Sequence, residues 1–167
     1  YEFSACLVGS EMCIRDSTAR PQDLHLIDAS YAHDATMRIR FNWLFSAAQG
    51  TTSTSALYGE LDPGCRIGRH VDPAEEVLLV LEGTVELMVG DECCQLTAGG
   101  IVVTPAMVPH EVRNIGTEKA RLIGFFPSAT VASIFDHPLL PIGQQVVGTP
   151  NWMQAVMSSS PHAVEGA

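Results

Sequence analysis

Residues 64–83 read G-C-R-I-G-R-H-V-D-P-A-E-E-V-L-L-V-L-E-G, and the fold turns on how this stretch is read. A glycine opens it and a glycine closes it. Its second half is an apolar run that ends at Glu82, and its first half carries His70, Asp72, Glu75 and Glu76. On a strand His70 and Asp72, two residues apart, point the same way. Asp72-Pro73 starts a turn, because proline presets one turn dihedral and aspartate bonds its own backbone. From Glu76 onward Leu78 and Val80 share its face, while Val77, Leu79 and Leu81 form the other. A carboxylate on the inner face of an apolar strand is costly unless it is paired or bound to a cation. Glu75, opposite Glu76, is expected to face solvent.

Outward from this stretch the chain keeps the same grammar. Residues 36–46 begin with strict alternation: Met37, Ile39 and Phe41 on one face, Arg38, Arg40 and Asn42 on the other. That period marks a half-buried strand. Residues 54–61, 84–89, 92–97, 101–104, 110–115 and 120–126 are further short strands. They are divided by Asp62-Pro63-Gly64, Gly90-Asp91, Ala98-Gly99-Gly100, Pro105 and Gly116-Thr117. Short strands with regular turn signals predict an antiparallel sandwich or barrel. No helix of ten residues is expected before residue 130. Residues 1–17 have no clear period, do not begin with Met and resemble translated sequencing adaptor, so they are set aside as non-native. Residues 18–35 then form an N-terminal arm and 36–135 the barrel. Residues 136–167 form an extended tail, with Pro138, Pro141 and Pro150, a short helix within 151–157 and a disordered end.

Composition excludes several function classes. Nine Lys and Arg face 19 Asp and Glu, a net charge of -10, so neither nucleic acid nor an anionic membrane surface is an expected partner. No apolar run reaches the length of a membrane span. A hydrophobic content of 46% and a mean hydropathy of +0.16 supply one real core. Outside the first segment Cys65, Cys93 and Cys94 remain. An odd number with an adjacent pair is no disulfide framework, and buried or half-buried thiols in a reducing, cytoplasmic compartment are expected.

A second stretch answers the first. His110 alternates with Val112 and Asn114 while Glu111 and Arg113 face away. Imidazole with carboxylate and no thiolate suits a divalent Fe, Mn, Ni, Zn or Cu ion. The two stretches resemble the paired motifs of the cupin superfamily. The first motif, G-x5-H-x-H-x3–4-E-x6-G, is matched by Gly64, His70, Glu76 and Gly83. The second, G-x5-P-x-G-x2-H-x3-N, is matched by Gly99, Pro105, His110 and Asn114. Asp72 stands where the family has its second histidine, and Met107 where it has a glycine. The resemblance implies an all-β fold, a single cupin or jelly-roll-like antiparallel barrel, and one divalent metal, Fe(II) first. His70, Glu76 and His110 carry over as ligands. Asp72 is either a fourth ligand or a turn and supporting residue. Met107 falls at the mouth of the site or in the core.

Arg38, Arg40, Arg66 and Arg69 are read as exposed strand arginines, with anchoring of a carboxylate substrate as the alternative. Tyr58 and Met88 are read as core packing. His25, His33, His137 and His162 are not expected to be ligands. Because the strand after Glu76 is apolar on both faces, both must be covered. An arm or a partner subunit does this, and a homodimer is expected. Three functions are carried forward: a metal-dependent, dioxygenase-like oxygenase acting on a small organic molecule; a metal-dependent isomerase or lyase; and a non-catalytic binder of small ligands.

Overall fold

Alternating side chains build two facing antiparallel sheets in the computed structural model, which describes residues 19–159. The strands are β1 (Ile27–Tyr31), β2 (Asp34–Phe45), β3 (Ser55–Leu61), β4 (Arg66–Val71), β5 (Glu76–Glu82) and β6 (Thr84–Val89). There follow β7 (Glu92–Thr97), β8 (Ile101–Thr104), β9 (His110–Asn114), β10 (Ala120–Phe126), β11 (Ala132–Leu139) and β12 (Gln144–Gly148). The helix α1 (Pro150–Ser159) closes the order. One sheet runs β1-β2-β3-β10-β5-β8 and the other β7-β6-β9-β4-β11-β12, with a parallel bridge from Met37 to Arg66 joining them. The result is a nearly closed, jelly-roll-like barrel.

The core lies between the sheets. Met37, Ile39 and Phe41 of β2 pack with Leu78 and Val80 of β5, Val85 and Leu87 of β6, and Leu122 of β10. These are the alternating positions of each strand, so the period-two pattern alone decides which side chains are buried. Asn114, fully buried, donates from Nδ2 to the carbonyls of Leu61 and Glu118 and accepts from Gly116 N–H. It ties the β9–β10 turn to the end of β3.

Several expectations change. The arm contributes a strand: β1 pairs with β2, and Leu24 and Leu26 pack over Leu44, Tyr58, Leu81 and Ile123 on the outer face of the first sheet. Tyr58 packs in this cluster, as its reading as a core residue expects, and hydrogen-bonds to Glu60. The segment after 135 is more regular than its prolines imply. β11 pairs with both β12 and β4, and Trp43 Nε1 donates to the Gly148 carbonyl. Cys93 and Cys94 are exposed rather than buried, because β7 is the last strand of its sheet and only Leu96 on it is half-covered. Among the described residues no helix is long and apolar enough to cross a membrane. The segment 1–17, the terminal residues 160–167 and His162 lie outside the described residues.

Candidate metal centre

His70 stands near the end of β4 and His110 at the start of β9, directly opposite one another in the ladder. Between Ile67 and His70 the register slips, because β4 spends three steps where β9 spends two. That bulge lies at Gly68 and Arg69, and it re-aims the strand beside the site, as bulges commonly do. Gly68 is needed there for space: a Cβ would overlap Tyr31 Oη and stand 2.7 Å from Cζ. The freed Gly68 carbonyl lies 2.7 Å from His70 Nδ1, and the Val108 carbonyl lies 2.9 Å from His110 Nδ1. A carbonyl only accepts, so both Nδ1 atoms carry protons and both Nε2 atoms are the donors turned inward.

Asp72 follows β4 directly. Ser133 of β11 donates to its Oδ1 at 2.5 Å, which leaves Oδ2 facing the histidines. His110 Nε2 lies 3.3 Å and His70 Nε2 3.8 Å from that oxygen. The donor atoms of His70, Asp72 and His110 lie within 4.8 Å of one another, and all three residues are buried. Among the described residues Asp72 Oδ2 and His110 Nε2 are buried polar atoms without an aligned hydrogen-bond partner. Such atoms are costly in an apolar interior and are satisfied together by one cation.

Both carboxylates of the sequence reading therefore reach the histidines. Asp72 belongs to the tight set, whereas Glu76 stands outside it, with Oε2 3.5 Å from His110 Nε2. Charges sort accordingly. Burial, and then the charge of neighbouring His110, push His70 down to about 4. Burial opposes charge on His110, yet the Asp72 and Glu76 carboxylates outweigh it and push it up to about 10. Burial works against the Asp72 carboxylate too, but His110, His70 and Ser133 hold it below the ordinary value. Burial raises Glu76. Without a metal, one imidazolium between carboxylates supplies the positive charge that an ion would bring.

His70 stacks on Phe135 at a centroid distance of 4.7 Å. Together with Glu76 and Ser133 these rings border a cavity of about 50 Å³, otherwise lined by apolar side chains such as Ile39, Phe41 and Leu122. Such a space holds a few water-sized groups. Among the described residues no arginine lines it: Arg38 pairs with Asp28, Arg40 with Glu60, and Arg66 with Asp34 and Glu111, while Arg69 is exposed. Glu75 is exposed as expected. Met107 is 57% exposed and therefore not core, and its N–H donates to the Asp72 carbonyl at 2.7 Å. Ser133 and Phe135 were missed because they sit some 60 residues beyond His70, and nothing in their own spacing marks them.

The family model described as cupin domain matches residues 57–126. Polyketide synthase CurC of Streptomyces cyaneus is 35% identical over 75 residues, covering 44% of this chain and 49% of that protein. The chain thus spans about half the length of this curated relative. Among solved structures, a mutant of oxalate decarboxylase OxdC from Bacillus subtilis has a TM-score of 0.54 at 16% identity, over 62% of this chain and 29% of that one. Another structure of that decarboxylase, described by its Mn(II) centres, has the same score and identity over 64% and 30%. At that identity the likeness speaks for the fold.

Proposed function

We propose, from the premise that this chain is a member of the cupin superfamily, that it binds one divalent metal ion and acts as an oxygenase on a small organic molecule. The observation that carries the proposal is the convergence of His70 Nε2, Asp72 Oδ2 and His110 Nε2, each left free by a hydrogen bond on the far side of its own group. Two imidazoles and one carboxylate with open positions suit non-haem Fe(II). Mn(II), the ion named for oxalate decarboxylase, follows, and Ni, Zn and Cu are compatible with the same donors. The ion, when bound, supplies Lewis acidity and the open positions that orient O2 and substrate. The apolar cavity beside Phe135 and His70 favours a small, largely apolar substrate and keeps water from the donors.

A second reading, a metal-dependent isomerase or lyase, draws support from Glu76. It is a buried carboxyl bordering the cavity and outside the tight donor set, well placed to carry a proton. The free thiols of Cys65, Cys93 and Cys94 favour a reducing, cytoplasmic setting.

Elemental analysis of the purified protein beside His110→Ala tests the site: about one ion per chain is expected, with at least a tenfold loss in the variant. Equal metal in both removes the site from consideration. Oxygen consumption by the Fe(II)-loaded protein across a panel of small substrates separates the oxygenase from the isomerase or lyase, which turns over with Zn(II) and no O2. A ligand-binding protein without catalysis would bind its ligand equally well after both histidines are removed.

A further inference from the structure

Gly124 is the odd residue of β10. Glycine inside a strand gives up packing and chain stiffness, and it often marks a close approach. Its ladder partners are Leu57 on β3 and Leu78 on β5, and it borders the same apolar cavity as Glu76. A Cβ at this position would overlap Oε1 of Glu76 and stand 3.1 Å from its Cδ and 3.5 Å from its Cγ. The three atoms nearest to that Cβ all belong to Glu76. Gly59, on the neighbouring strand β3, is a contrast: its Cβ would meet the Ile39 side chain alone, at 3.2 Å.

We propose that Gly124 is a positioning residue of the metal centre, its missing Cβ opening the seat that holds the Glu76 carboxylate beside His110. The seat follows from the geometry alone; its role toward the metal rests on the reading above. An alanine at 124 is accommodated by displacing the free end of Glu76, which is flexible, rather than by moving backbone. The displaced carboxylate is crowded toward Asp72 and His110 or withdrawn from them, and either alters the charge that the ion meets.

A double-mutant cycle of Gly124→Ala with Glu76→Ala tests this, read by the melting temperature in chelator and by Mn(II) affinity from electron paramagnetic resonance. With Glu76 present, Gly124→Ala lowers the melting temperature by roughly 4 °C or more and changes Mn(II) affinity about tenfold. In the Glu76→Ala background it does neither. Gly59→Ala behaves alike in both backgrounds. Where Glu76→Ala does not fold, Glu76→Ser empties the seat and completes the cycle. Equal melting losses in both backgrounds overturn the seat and make Gly124 a packing residue, even if Mn(II) binds. Coupled melting with uncoupled Mn(II) affinity overturns the role toward the metal. Coupled melting in a protein that binds no Mn(II) leaves the seat standing and overturns the metal reading instead.

Discussion

Ser133 selects which oxygen of Asp72 the histidines see, and removing its hydroxyl frees the carboxylate to rotate. Ser133→Ala is expected to weaken metal binding by roughly tenfold or more and to lower the melting temperature in chelator, because the buried Asp72 carboxylate loses its partner on Oδ1; competition against a chromogenic chelator measures the first and thermal unfolding the second. Proton and metal compete for His110. Held up at about 10, its charge adds stability that is complete below its ordinary value of 6.5 and is lost as pH rises through 10. Asp72, held down, adds stability present above 3.8 and lost as pH falls below it. A metal bound through His110 would displace that proton, so its affinity should climb with pH while the metal-free protein weakens. The gap between melting temperatures with and without Zn(II) should widen steadily from pH 6.5 to pH 9, and a constant gap would refute this proton competition. At Met107 the departure from the family motif has a backbone meaning: φ is +62°, the left-handed region that glycine enters freely and other residues enter at a cost. Met107→Gly is therefore expected to stabilise the fold by up to about 1 kcal/mol in urea titrations. His70 and His110 were legible because strand alternation and motif spacing both point to them. The surroundings of the two carboxylates were not, since Ser133 beside Asp72 and Gly124 beside Glu76 come next to them only through the folded sheet.

Among the elements, β4 shows how a local irregularity serves the site. Its bulge sets His70 opposite His110 and gives the Gly68 carbonyl to Nδ1. Tyr31, edge-on to His137 at 5.2 Å, fills the room that a side chain at 68 would need. Gly68→Ala should destabilise the protein by about 1–3 kcal/mol, as overpacking does, and should weaken metal binding as well; an unchanged urea midpoint would show that Tyr31 yields without loss. The strands β2 and β9 were plain in the sequence because each alternates apolar and polar residues, and β5 because its continuous apolar run is bounded by Glu76 and Glu82. β11 and β12 were hidden by Pro138, Pro141 and Gly143. They pair nonetheless, because the ladder runs from Ala132 to Ile134, slips, and resumes at Leu139 with Gln144. Pro138 thus falls where the β12 ladder asks for no N–H.

At the scale of the molecule, one apolar sheet surface is left uncovered by the described residues. Val77 on β5 is flanked by Val103 on β8 and Phe125 on β10, and Leu79 is flanked by Ile101 and Ile123. Directly paired residues share a face, so these six form an apolar sheet surface outside the barrel. The double-faced apolar pattern of β5 announced it in the sequence. The arm covers the end near Leu81 and Ile123. Ile101 and Val103 on β8, the free edge of that sheet, remain 61% and 50% exposed, and Phe125 on β10, two strands in, 36%. An antiparallel edge meets a second copy of itself about a two-fold axis without further adaptation, and an apolar face beside it extends the contact. We propose that a second copy of this chain covers it. Light scattering on a sizing column should give a dimer at micromolar concentration. Ile101→Lys combined with Val103→Lys, on side chains outside the core, should yield a monomer with unchanged circular dichroism. A wild-type protein that elutes as a monodisperse monomer would overturn the interface and leave the arm as the only cover this sheet has among the described residues.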